Sequence, residues 1–237
     1  MSQPHLSIDV SEAFRLAGSL ESVLKAYYRV WSHEDTKDIF IRDDQRRRFN
    51  EIILWSIDCR SLSSDVSHAF HEIEELLKKG VTDTKRQGSV KWYTLTDVSL
   101  KYYLDDISYR LKSLWDKLAQ IVRIYFLNSK KNVTFGYDKF QKENIPQLGN
   151  LLKNAYSSQT YKKLNLYRND FTHNITQGLA NMHNLSGEFW HTDDLICLLL
   201  DSYKQIVETY EIVFKAIAKD VASTDVTDFQ EMLNRTL

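Results

Sequence analysis

The sequence predicts an all-α fold, a helical bundle with two long antiparallel central helices and several shorter ones around them. Three observations carry this. Glycine and proline are scarce, 7 and 2 in 237 residues, together about 4% where roughly 12% is usual. Sandwiches, barrels and doubly wound folds need many tight turns, and turns need those residues. Apolar residues recur at three- and four-residue steps through most of the chain. Finally, no repeat, low-complexity tract or dividing linker interrupts them, so a single domain is expected over residues 1–237. An apolar fraction of 43% with 27% charged excludes disorder over most of the length.

Leu16, Leu20, Val23, Leu24, Tyr27 and Trp31 predict a first amphipathic helix from about Ser11 to Trp31. The stretch from His33 to Ile41 is polar and irregular. Asp43 and Asp44 can cap a second helix with Phe49, Ile52, Ile53 and Ile57 on one face. Ser61 to Ser64 interrupts or bends it, and Val66, Ala69, Phe70, Ile73, Leu76 and Leu77 continue the period. Gly80 ends this run, and a charged loop reaches Val90.

Thr94 with Asp97 then resembles a capping box. Leu100, Leu104, Ile107, Leu111, Leu114, Leu118, Ile121 and Tyr125 alternate steps of four and three without a miss. That is a heptad seam, the pattern of a long helix packed along a neighbour. Asn128 to Gly149 is a mixed connection containing Gly136 and Pro146, with a short helix in it. Another short helix is expected from about Ser158 to Asp170, followed by a loop from Asn174 to Gly187. Thr192 starts the second long helix, where Leu199, Tyr203, Ile206, Tyr210, Val213 and Ile217 repeat the rhythm. Asp225 can cap a last short helix holding Phe229 and Met232.

Lys and Arg number 31 against 32 Asp and Glu. That excludes a globally basic nucleic-acid coat and leaves room for a local basic site. Cys59 and Cys197 lie in apolar helical contexts, read as small core residues in a reducing compartment. Met1-Ser-Gln-Pro-His lacks the basic and apolar regions of a secretory signal. No apolar run approaches the roughly 18 residues of a membrane span. A cytoplasmic protein that does not enter membranes is expected.

GxGxxG, Walker, GxSxG and HExxH motifs do not occur in the sequence. Glu188 and His191 form a single ExxH pair, and His68 and His71 lie one turn apart beside Glu72 and Glu75. A di-iron bundle needs ExxH from two helices plus two further carboxylates. These side chains are read as solvated helix surface, and no metal or cofactor is expected. Arg42, Arg46, Arg47 and Arg48 form one basic cluster. Lys78, Lys79, Lys85, Arg86 and Lys91 form another. Either can touch phosphate, with Arg46, Arg47, Lys85 and Arg86 the candidate contacts.

The segment Leu166-Tyr167-Arg168-Asn169-Asp170-Phe171-Thr172-His173-Asn174 stands apart. It gathers polar and ionisable groups around one aromatic at a helix end. If the helix continues, Asn169 and His173 share a face, about 40° apart, while Arg168 lies to one side within reach of its long fork. An arginine offers bidentate donors to phosphate, a histidine moves a proton near neutral pH, and an asparagine orients.

Arg-Asn-x-x-x-His at a helix end of an all-α bundle resembles the HEPN superfamily (higher eukaryotes and prokaryotes nucleotide-binding domains). Arg168, Asn169 and His173 match its signature at the shortest spacing, and the local wording is similar to the bacterial stand-alone branch. The resemblance covers about Ser99 to Asp220 and leaves the N-terminal helices, 11–79, as a family-specific addition. It implies metal-independent RNA cleavage, with His173 moving the proton, Arg168 steadying the scissile phosphate and Asn169 orienting. Asp116, beside Lys117 on the long helix, is a candidate supporting acid behind the motif residues. The resemblance further implies a homodimer that brings two motifs together, and a toxin or defence setting with an antitoxin-like partner. The alternatives are a non-catalytic HEPN nucleotide-binding or protein-interaction module, and an unrelated helical scaffold.

Overall fold

The fold is seen in a computed structural model that describes residues 10–32, 43–79, 86–87, 90–91, 95–127, 134–135, 145–173 and 192–222. Six helices are described: α1 (Val10–Ser32), α2 (Asp43–Lys78), α3 (Leu95–Leu127), α4 (Leu151–Ser157), α5 (Gln159–His173) and α6 (Thr192–Ala222). A two-residue antiparallel ladder, β1 (Arg86–Gln87) with β2 (Val90–Lys91), lies between α2 and α3. That connection was expected to be plain loop. The Thr94 cap, the 33–41 stretch, the 174–187 loop, the Glu188–His191 pair and the helix after Asp225 lie outside the described residues.

The seams pack as their spacing requires. Every seam residue of α3 from Leu100 to Tyr125 is buried, and so is every one of α6 from Leu199 to Ile217. Trp115, Ala119 and Val122 add a second buried row on α3. α2 runs unbroken through Ser61–Ser64. Ser63 is buried and its hydroxyl meets that of Tyr203 on α6, so a residue that reads as a helix breaker is a core contact. One serine hydroxyl costs little helix propensity when its polar group is satisfied inside.

Cross-helix pairs fix the directions. Arg48 Nη1 donates to the Tyr125 carbonyl at 2.7 Å, Lys117 pairs with Asp58 at 2.8 Å, and Arg110 pairs with Asp65 at 2.5 Å. Numbers rise along α2 as they fall along α3, so these two long helices are antiparallel. Ser63 with Tyr203, and Cys59 with Tyr210 at 3.1 Å, make α2 antiparallel to α6 as well. It follows that α3 and α6, whose seams predicted an antiparallel central pair, run in the same direction. The antiparallel pairing belongs to each of them with α2. The physical reason is the chain's return along α5. Tyr161 lies beside Trp115 and Tyr167 beside Asp105, so α5 runs antiparallel to α3 and brings the chain back before α6 begins.

Cys59 is fully buried and Cys197 is exposed, so the core assignment holds for the first and not the second. Burial pushes the Cys59 thiol up to about 12, with Tyr210 hydrogen-bonded to it. Among the described residues, no helix is long and apolar enough to cross a membrane.

Candidate functional site

The helix that carries the motif starts at a cap. Ser158 is extended, and its Oγ accepts the Tyr161 N–H at 3.1 Å, the N-cap to N3 bond. Its hydroxyl donates to Gln205 Oε1 on α6 at 3.1 Å. Tyr161, Leu164 and Tyr167 then form the buried stripe of α5. Tyr161 packs edge-on to Trp115 at 5.7 Å and to Phe135 at 5.2 Å. Directly before Arg168, the Tyr167 hydroxyl donates to Asp105 Oδ1 at 2.6 Å, and Lys101 Nζ holds Oδ2 of the same carboxylate at 2.6 Å. Asp105 is only 5% exposed. A buried carboxylate is tolerated when both oxygens are engaged in this way. The Tyr167 phenol is pushed up first by burial and then by the charge of Asp105.

This anchoring sets the rotation of α5. Arg168 follows Tyr167 and lies on the flank of the buried stripe, one turn from Leu164. It is half-buried, and its charge is felt at Tyr161, where it opposes the upward push of burial and of Asp116. Its Nε is buried, and its Nη1 donates to Asn169 Oδ1 at 3.3 Å. The helix continues to His173, so Asn169 and the backbone of His173 lie on one face, one turn apart. The His173 side chain is outside the described residues. Leu166, 46% exposed, is on the same outward face one turn before Asn169.

A scan of protein families matches the chain over residues 55–230 to the HEPN_Cthe2314-like HEPN family. The chain belongs to that family. The match takes in the second half of α2, which the Arg-Asn-x-x-x-His motif does not reach. No curated protein and no solved structure matches the chain significantly.

In this HEPN chain the two basic clusters separate. α2 ends at Lys78 beside the start of α3, and α5 ends at the same level, since Tyr167 meets Asp105 ten residues into α3. The connection holding Arg86 is therefore at the motif's end of the bundle; Lys85 lies outside the described residues. Arg46 and Arg47 are in the first turns of α2, next to Arg48, which reaches Tyr125 near the far end of α3. About 25 residues of α3 separate the two levels, roughly 35 Å at 1.5 Å each. Within one protomer, Arg46 and Arg47 cannot share a phosphate with Arg168.

Asp116 holds a short segment against α3. Its Oδ1 accepts Lys112 Nζ at 2.5 Å and the Phe135 N–H at 2.8 Å, tying the 134–135 segment to α3. Among the described residues, His71, Glu74 and Glu75 are the cluster whose donor atoms approach within 4.8 Å of one another. Lys78 already bridges both of those carboxylates, at 3.2 and 2.9 Å.

The Lys101–Asp105–Tyr167 anchor was not visible in one dimension. Lys101 and Asp105 read as an ordinary surface pair four residues apart. A tyrosine directly before the motif arginine was the available signal.

Proposed function

We propose that this HEPN chain is a metal-independent endoribonuclease whose reacting groups are Arg168, Asn169 and His173. The observation that carries the proposal is the turn of the Arg168 guanidinium onto Asn169, on a helix that continues to His173. It gathers a fixed cation, an amide and an imidazole-bearing position at the outward end of one helix. His173 takes the proton from the ribose 2′-hydroxyl, whose oxygen attacks the adjacent phosphorus. The 5′-oxygen leaves with the proton that the His173 imidazolium gives back to it, and a 2′,3′-cyclic phosphate remains. Arg168 offsets the charge that builds on the phosphate in the transition state, and Asn169 holds the guanidinium in place.

Two copies complete the site. Leu166, Asn169 and His173 recur along one outward face, and an exposed leucine beside a polar motif suits an isologous contact about a two-fold axis. The test compares single-turnover cleavage of a short RNA by wild type, Arg168→Ala and Arg168→Lys. Arg168→Ala is expected to lose about 10² to 10³ in rate, with incomplete rescue by lysine because the bidentate fork is gone. Equal rates in all three would remove Arg168 from the chemistry.

A further inference from the structure

We propose that Asp105 is a positioning residue of the cleavage site, acting through Tyr167 to fix the direction in which Arg168 meets the scissile phosphate, with Lys101 completing the device. This rests on the ribonuclease reading above and adds to it the part that sets the motif's geometry.

The contact is placed for this task. Tyr167 directly precedes Arg168 on α5, and its hydroxyl meets Asp105 Oδ1 at 2.6 Å. Asp105 is itself fixed. It sits on α3 between the buried seam residues Leu104 and Ile107, and its carbonyl accepts the Ser108 hydroxyl at 2.7 Å. Lys101 Nζ, one turn back, holds the other carboxylate oxygen at 2.6 Å. At the start of α5, the Ser158 hydroxyl ties the helix to Gln205 of α6. Arg168 therefore lies one residue beyond a fixed point, and its direction is set by the rotation of α5 about its own axis. A rotation of about 10° moves a group about 6 Å from that axis by about 1 Å. A displacement of about 1 Å can cost about 10² in rate.

The chemistry of the contact does not suit a device that only stabilises. A buried carboxylate loses about as much by leaving water as its partners return, and apolar side chains of similar volume hold helices together as well or better. The neighbouring seam of α3 is built in that way, with Leu100, Leu104, Leu111, Leu114 and Leu118 buried. Apolar contact is non-directional, so an apolar stripe tolerates a few degrees of helix rotation. A hydrogen bond is directional and short-ranged, and an ionised acceptor makes it shorter and stronger. A phenol on α5 and a carboxylate on α3 thus select one rotation of the motif helix. They do so one residue before the arginine whose direction matters. Lys101 keeps the carboxylate ionised and compensated, so the buried charge is held at the contact and not removed by protonation.

The experiment pairs cleavage kinetics on a short RNA with thermal unfolding, both on the full chain. Tyr167→Phe should lower kcat about ten- to a hundredfold and leave KM within about twofold of wild type. In an Arg168→Ala background the same change should cost less than about twofold, because the group it positions is gone. Lys101→Met/Asp105→Leu/Tyr167→Phe replaces the polar contact by apolar side chains of similar shape. It should unfold at or above the wild-type temperature and still cleave as slowly as Tyr167→Phe. Tyr203→Phe removes the buried hydroxyl that meets Ser63, away from the motif. It should lower the unfolding temperature and leave kcat at the wild-type value. Wild-type kcat in Tyr167→Phe, the full loss repeated in the Arg168→Ala background, or kcat recovered along with stability in the apolar variant would overturn the positioning role and leave the ribonuclease reading standing. A wild type that does not cleave RNA would overturn both.

Discussion

Replacing Tyr167 by phenylalanine removes one oxygen from the anchor that orients the motif helix. That oxygen donates at 2.6 Å to a carboxylate only 5% exposed. A hydrogen bond to a charged group contributes about 1.5–3 kcal/mol. The carboxylate does not become an orphan, because Lys101 still holds its other oxygen at 2.6 Å, so the larger cost of an isolated buried charge does not apply. The ring's burial is kept, so no transfer or cavity cost is added. A loss of about 1.5–3 kcal/mol in a chain of this length lowers Tm by about 3–12 °C. Calorimetry reads that shift, and amide exchange reads whether protection falls first along α5. Asp105→Asn should cost at least as much, since it takes the charge from Lys101 as well. If Tyr167→Phe unfolds within 1 °C of wild type and α5 exchanges unchanged, the anchor does not hold the motif helix.

Burial raises four phenols, Tyr161, Tyr167, Tyr203 and Tyr210, with Tyr203 reaching about 12. A phenol held more tightly protonated in the fold contributes stability below about pH 10 and loses it as pH rises toward the raised value. The buried Cys59 thiol, pushed up to about 12, removes up to about 1.4 kcal/mol per pH unit from about pH 9, and the four phenols together up to about 5 more per unit above pH 10, so urea midpoints should sag gently above pH 9 and collapse between 10 and 12; midpoints unchanged at pH 11 would contradict this. Asp116→Ala strands the Lys112 ammonium, 9% exposed, and the Phe135 N–H; a loss of about 3 kcal/mol is expected in urea unfolding, and a change under 1 kcal/mol counts against it. In thiol titration of the native protein, exposed Cys197 should react at once and Cys59 only in denaturant; two fast thiols would place Cys59 wrongly. Leu166→Asp should shift light scattering from dimer to monomer and reduce cleavage with it; a wild-type monomer at micromolar concentration would remove the two-copy site.

The two seams were legible because burial on a helix repeats in sequence, and all of their members are buried. The motif was legible for a similar reason, since its residues are neighbours on one helix whose continuation to His173 brings Asn169 and His173 to one face. What one dimension hides is what depends on partners far along the chain. Ser63 looks like a breaker until Tyr203, 140 residues on, meets it. The common direction of α3 and α6 follows from the return along α5, which periodicity cannot report. Arg46 and Arg86 look alike as charges, and only the level of each along the bundle separates them.

The central claim is that Arg168 and His173 cleave RNA through its own 2′-hydroxyl. Mass spectrometry of the products of a defined short RNA, incubated with the purified chain in excess chelator, tests it most directly. The account predicts fragments ending in 2′,3′-cyclic phosphate, with His173→Ala slower by about 10² to 10⁴ while circular dichroism shows it folded. Cleavage that stops with chelator, fragments ending in a 3′-hydroxyl, or a folded His173→Ala that cleaves at the wild-type rate would contradict it.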